Sequence, residues 1–233
     1  MLINNIDISN YKAKLLERVI NVSDVDNSNV WISRRNIPSS ESKYYYSIKK
    51  ISLKFDIVAS SSTELEECKS NITKALESAT IRFDDIDINY TGYYSGTPSV
   101  DYIAKYNDTI AFTFYAYAWK NEKTVQFNKI LNTSITAGGN TETPAIVEIT
   151  PAIDLVDLTL TGLSESPIKI NNLHSGKKII LNGEDCTVLE DGTGNKFRDT
   201  GMWEFPYLKV GTNNITASKN SCNITIKYKE RFI

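Results

Sequence analysis

The chain has 233 residues and a mass of 26.2 kDa, room for one large domain or two small ones. It is 41% apolar and 23% charged, an ordinary composition for a folded globular protein. A formal net charge of −2, a pI near 5.6 and charges of mixed sign along the chain exclude the basic surface that would draw it to nucleic acid or anionic lipid.

The opening residues Met1–Asp7 carry acid and amide where a secretion signal needs base followed by a long apolar run. No apolar run exceeds a few residues, so no membrane insertion is expected. Ile51, Leu53, Phe55 and Ile57 alternate with polar residues and predict a strand. Thr63-Glu-Leu-Glu66 reads as a capping box. After it, Leu65, Cys68, Ile72, Ala75, Leu76 and Ala79 recur at helical spacing, which predicts one helix over 63–79. Ile81, Phe83, Ile86, Ile88 and Tyr90 return to period two, placing Asp85 and Asp87 on the solvent face of a strand.

Tyr90-Thr-Gly-Tyr-Tyr-Ser-Gly-Thr-Pro-Ser99 is rich in both aromatic rings and breakers. It reads as an aromatic hairpin on its own sheet or as a sugar or subunit contact. Ile110, Phe112, Phe114 and Ala116 form one face of the next strand, and Thr113, Tyr115, Tyr117 and Trp119 the other. Such a strand is buried on both sides, between layers or against a partner chain.

Thr136-Ala-Gly-Gly-Asn-Thr-Glu-Thr-Pro144 reads as a connector and places a domain boundary at 138/139. Beyond it short strands are expected at 145–149, 155–161, 167–171 and 177–181, with a two-residue hairpin turn at Asn182-Gly183. Ile215 and Ala217, then Cys222, Ile224, Ile226 and Tyr228, alternate about a turn at 218–221. That density of short strands predicts a β-sandwich or jelly roll. Trp203-Glu-Phe-Pro-Tyr207 is the densest aromatic stretch of this half; it is read as sandwich core in preference to a sugar-stacking platform.

Chemistry is sparse. The single histidine, His174, sits in a loop, and no GxSxG, HExxH, P-loop or GxGxxG surrounds a nucleophile or phosphate loop. Cys68, Cys186 and Cys222 are scattered and lack a CxxC, which argues against zinc and a disulfide scaffold; free thiols are expected, with a Cys186–Cys222 bridge left open. No catalytic residue, cofactor or metal is expected.

The order of these parts resembles the distal tail proteins of phages with long non-contractile tails and of related tail-like particles. The resemblance rests on Ile3-Asn-Asn-Ile-Asp-Ile-Ser9, on Arg34-Arg35 and Tyr46–Ile57 followed by the helix, and on the strong strand Ile110–Trp119. Its most specific part is Leu181-Asn-Gly-Glu-Asp185, Phe205-Pro-Tyr-Leu-Lys-Val-Gly-Thr-Asn-Asn-Ile215 and the closing Tyr228-Lys-Glu-Arg-Phe232. It implies a mainly β protein: an N-terminal split-barrel-like β domain with one helix over 1–138 and a C-terminal galectin-like sandwich over 139–233. It implies a ring, usually of six copies, at the virion tail tip, made in the host cytoplasm. That ring would join the tail tube protein to the tape-measure or tail-tip hub protein and to baseplate or receptor-binding proteins. Sequence-specific nucleic acid is not among the partners. Tyr90, Tyr93, Tyr94, Tyr115, Tyr117 and Trp119 are the candidate subunit contacts, and Asp84, Asp85 and Asp87 the candidate channel-lining residues. The competing reading is a carbohydrate-binding sandwich that contacts host cell-wall glycan; a hydrolase is the weakest.

Overall fold

The computed structural model describes residues 1–23, 25–26, 29–30, 39–40, 45–46 and 48–233. It is mostly β, as expected, with a single α-helix among the described residues, and divides into two compact units, Met1–Trp119 with Ile233, and Lys120–Phe232. Arg34 and Arg35 lie outside the described residues.

The first unit is built on an antiparallel sheet. Its strands are β1 (Leu2–Ile3), β2 (Ile6–Asp7), β3 (Ala13–Ile20), β4 (Lys49–Val58), β5 (Ala79–Arg82), β6 (Asn89–Tyr94), β7 (Ser99–Ala104) and β8 (Asn107–Trp119). They run in the order β2-β1-β5-β6-β8-β4-β3. β7 continues the line of β6 along the same edge of β8, after a break at 95–98. Asn4 and Asn5, both at positive φ, make the two-residue turn of the β1–β2 hairpin. Alternation on β4 and β8 sends Ile51, Leu53, Phe55 and Ile57 and Ile110, Phe112, Phe114 and Ala116 to one buried face.

Helix α1 (Ser62–Leu76) contributes Leu65, Cys68, Ile72 and Leu76 to the core, the stripe read from sequence. Its start is shifted: Ser61, not Thr63, is the N-cap and accepts from the Glu64 N–H at 3.2 Å. Glu64 accepts from Ser60 N–H and Oγ and pairs with Lys12. The helix also stops earlier than 79, because Ala79 already pairs with Gly92 in the sheet. Lys69 ties α1 to β8 through a largely buried ion pair with Asp108 at 2.9 Å.

The second unit is a sandwich of two antiparallel sheets. Its strands are β9 (Lys123–Asn128), β10 (Asn132–Ala137), β11 (Thr143–Pro151), β12 (Leu155–Thr161), β13 (Ile168–Leu173), β14 (Ile179–Asn182), β15 (Thr187–Glu190), β16 (Gly194–Asn195), β17 (Thr200–Gly201), β18 (Tyr207–Leu208), β19 (Gly211–Ala217) and β20 (Cys222–Tyr228). One sheet runs β9-β20-β11-β14-β15-β16 with β18 also on β11; the other runs β10-β19-β12-β13-β17. Val147, Ile149, Ile224 and Ile226 of the first pack against Leu158, Leu160, Ile170 and Ile215 of the second.

The expected boundary at 138/139 falls inside this unit. β9 pairs with β20 and β10 with β19, so both strands before the glycines belong to the sandwich. The glycines have a local reason: a Cβ on Gly138 would meet the Glu230 carboxylate at 2.5 Å, and Gly139 has φ +92. The hairpin after β14 forms, but its turn spans four residues, Gly183–Cys186. Asn182 Oδ1 accepts from the Glu184 and Asp185 N–H groups at 2.9 and 3.1 Å, which closes the turn. Gly183 is needed for close approach, since a Cβ there would lie 2.2 Å from the Pro206 carbonyl oxygen.

Candidate functional site

The register of β6 on β8 decides which aromatic residues come together. Asn89 lies opposite Trp119, Thr91 opposite Tyr117, and Tyr93 opposite Tyr115. Period two sends these to the sheet face away from α1. Tyr93 and Tyr115 lie with ring centroids 6.2 Å apart, tilted by 30°. Trp119 Nε1 donates to Thr91 Oγ1 at 2.8 Å, and the Thr80 and Thr91 hydroxyls share a further hydrogen bond at 2.8 Å. The indole is thereby fixed, and Tyr93 and Tyr117 stand exposed beside it.

Tyr90 and Tyr94 do not belong to it. Tyr90 is only 4% exposed and sits edge-on to Phe83 in the core, while Tyr94 packs edge-on to Phe112. The six candidate contact residues are therefore split, four on the outer face and two on the core face.

Among the described residues two open strand edges flank the aromatic face. There β3 pairs only with β4, and its register shifts at Leu16, which is half-exposed. β7 pairs only with β8, and all six of its residues are exposed, Tyr102 at 75%. A shallow cleft of about 260 Å³ opens on the outer face between Glu17, Lys54, Thr97, Ala111 and Thr113. Neither edge strand stood out in the sequence. Leu15–Leu16 breaks the alternation of β3 because a bulge sits there, and in β7 the alternation of Ser99, Val100, Asp101 and Tyr102 ends at Ile103–Ala104, where the register shifts.

Asp84 and Asp85 lie in a turn between β5 and β6, and Asp87 follows it, where a strand had been expected. Asp84 accepts from the Met1 amino group at 2.7 Å. Asp85 takes both Arg18 nitrogens, and that guanidinium, itself 4.5 Å from the Phe83 ring centroid, holds its carboxyl below the usual carboxylate range. Two of the three acids thus have a cation at hand, and Asp87 is exposed.

In the second unit His174 is exposed in the loop after β13. The cleft beside it, about 590 Å³, is lined by carboxylates already engaged: Asp154 accepts from Ser175 N–H at 2.7 Å, and buried Lys196 bridges Glu190 at 3.0 Å and Asp199 at 3.4 Å. Among the described residues no three His, Cys, Asp or Glu side chains are grouped to hold a metal. All three cysteines are free; Cys222 is buried and Cys186 exposed, so the Cys186–Cys222 bridge does not form.

Trp203 overturns its expected place in the core: it is 91% exposed. The chain turns there so that Met202 and Phe205 pack on the core while Trp203 and Glu204 face water. Phe205 also stacks on half-exposed Phe197, with centroids 6.0 Å apart.

Comparison with known proteins gives one family match and several structural likenesses. No curated protein matches the chain in sequence. Residues 138–232, all within the second unit, match the family described as siphovirus-type tail component, C-terminal domain. The crystal structure of the SPP1 Dit (gp 19.1) protein, described as a paradigm of the hub adsorption apparatus in phages infecting Gram-positive hosts, superposes with a TM-score of 0.79 at 13% identity, over 100% of this chain and 98% of that one. The phage p2 baseplate in its activated conformation, with calcium and with strontium, follows at a TM-score of 0.56 in both cases, 13% and 14% identity, over 97% of this chain and 94% of those. The resemblance read from the sequence thus holds: the chain has the distal tail protein fold from end to end, and its residues 138–232 match the model of the siphovirus-type tail component C-terminal domain.

Proposed function

We propose that this protein is a non-catalytic structural component of a phage tail tip, in which copies of the N-terminal unit close into a ring, six to a turn. The observation that carries the reading is the full-length likeness to a tail hub protein together with the family match of the C-terminal unit. The ring joins the tail tube protein to the tail-tip hub and to baseplate or receptor-binding proteins, on an infectious virion or a tail-like particle.

Physical features of the first unit support this. A ring of identical copies requires two different patches on each, joined head to tail. The open edges of β3 and β7 lie on opposite sides of β8 and supply two such patches. Exposed edges of this kind are a liability unless another chain covers them. The outer face adds Tyr93, Tyr115, Tyr117 and Trp119, residue types enriched where chains meet. Asp87 and its neighbours in the β5–β6 turn are the proposed lining of the central channel.

Light scattering on the purified chain tests the ring: a mass near six times 26.2 kDa, with an annulus in negative stain, is expected. A particle that stays at 26.2 kDa up to tens of micromolar would overturn it.

A further inference from the structure

β3 and β5 are far apart in the strand order of the first unit. β3 lies at one end, and β5 lies beyond β4, β8 and β6. Side chains nevertheless join them across the core. Arg18 of β3 stands opposite Leu53, a core residue of β4, so the pleat points both to the same side. Its guanidinium lies 4.5 Å from the ring centroid of Phe83, the residue that follows β5. Its two terminal nitrogens donate to the two carboxylate oxygens of Asp85, one of them at 2.6 Å. Phe83 is buried beneath it, edge-on to buried Tyr90 with centroids 5.8 Å apart. Among the described residues no backbone hydrogen bond joins 13–20 to 79–88. A seam therefore runs between β3 and the β5–β6 turn, and Arg18 bridges it.

The seam is held differently from the joins beside it. β8 pairs with β4 from Asn107 to Ala116, and β3 pairs with β4 from Ala13 to Ile20. Parting those strands breaks a ladder; parting β3 from the turn breaks side-chain contacts alone. Local opening follows the join with the fewest backbone hydrogen bonds. Residues 84–88 are in no strand, and Asp84 ties the turn to the Met1 amino group, on its own side of the seam next to β1. Arginine suits the bridge, because one planar group can grip a carboxylate with both prongs and lie over a ring. We propose that Arg18 is a latch: it shuts the β5–β6 turn against β3, and the first unit opens along this seam when the latch is lost. Arg18 is thus a positioning residue, and Tyr90 lies behind the door it closes. This goes beyond the ring reading and holds for a single copy. In a ring the latch would fix two parts relative to each other, the open edge of β3 and the turn proposed to line the channel.

Hydroxyl-radical footprinting of the intact chain, read by mass spectrometry, tests the latch. Tyr90 is the reporter, with Phe55 and Phe114 as core controls that are fully buried. Arg18→Gln is expected to raise oxidation of Tyr90 by roughly three- to tenfold, the range that loss of a surface ion pair and a cation–π contact allows. Asp85→Asn, which leaves the guanidinium free to cover Phe83, should raise it too. The double variant should add little to the larger single effect, because the two residues act as one unit. Arg18→Lys should recover part of the protection by keeping the charge without the fork. Circular dichroism checks that each variant is folded, and light scattering follows ring formation separately, so a parent that stays monomeric overturns the ring and not the latch. The proposal fails if Tyr90 stays as protected as in the parent in both single variants, if Phe55 and Phe114 become oxidised to the same degree, or if the two single effects add in full.

Discussion

In the C-terminal unit each sheet covers the other, and Leu158, Leu160, Ile149 and Ile226 are sealed between them without solvent contact. In the N-terminal unit α1 covers one face of the sheet, and Tyr93, Tyr115 and Tyr117 stand on the other. The outer face of β12 and β19 shows the contrast most clearly: where β8 carries Tyr115 and Tyr117, these strands carry Thr159, Thr161, Asn214 and Thr216, with Thr161 and Thr216 hydrogen-bonded to each other. Short hydroxyl and amide side chains are content in water. Half-exposed tyrosines beside strand edges that are open among the described residues are not, and in the proposed ring another copy would cover them.

Substitution in the two cores should have the largest effect and should not distinguish the units. Ile72→Ala beneath the helix and Leu160→Ala between the sheets each remove a fully buried side chain. Each should cost about 2–5 kcal/mol, read as a fall in the denaturant midpoint. A cost below about 1 kcal/mol for Ile72→Ala would mean that the helix-covered face is loosely packed and that the first unit lacks a sealed core.

The surfaces should then separate them. Tyr117→Asp places a charge on the aromatic face and is expected to convert the ring to smaller species, since a tyrosine at the centre of a contact contributes roughly 2 kcal/mol or more. Thr216→Asp on the sandwich should leave assembly intact, and both should stay within about 1 kcal/mol of the parent in stability. Sedimentation velocity reads the outcome. Equal effects of the two substitutions on assembly would erase the distinction.

Much of this contrast could be read from the sequence, and the failures have identifiable causes. The strands of the second unit were legible because β12, β19 and β20 alternate cleanly and turn tightly. β9 and β10 were placed before the boundary because the glycines after them look like a linker, yet both pair within the sandwich; crowding against the Glu230 carboxylate and the Arg231 backbone explains those glycines instead. The helix cap was misplaced by two residues because Ser61 and Thr63 are both followed, three positions on, by a glutamate, and only the structure shows which acid Ser60 and Lys12 engage. In the aromatic face the error was one of parity. Tyr93 and Tyr94 are adjacent, so on a strand they must face opposite ways, and strict period two would have removed Tyr90 and Tyr94 from the contact set. Trp203 was misjudged by association: its neighbours Phe205 and Pro206 are covered, and nothing in the local pattern signals that the chain turns the indole outward.

Acid should give the smallest effect, and it compares how the two units use their carboxylates. In the first unit Glu64 is held at about 2, by Lys12 first and then by the Ser60 hydroxyl and N–H. In the second, Lys227 and then Lys178 hold Glu148 below its ordinary value, and Lys123, then the Gly138 N–H, do the same for Glu230. A carboxylate depressed in the folded state contributes its full stability above the unfolded value, about 4.3 for glutamate, and loses it as the pH falls toward the folded value. The denaturant midpoint should therefore hold above about pH 5 and decline toward about pH 3. Glu64→Gln should remove only part of the decline, because its pair with Lys12 is open to solvent and to salt, whereas Glu148 lies half-covered between its two lysines. Glu148→Gln should flatten the acid limb more, and 1 M salt should spare more of the Glu148 contribution than of the Glu64 one. A midpoint that stays flat down to about pH 3, or a Glu64→Gln change larger than that of Glu148→Gln, would show that burial does not rank these carboxylates.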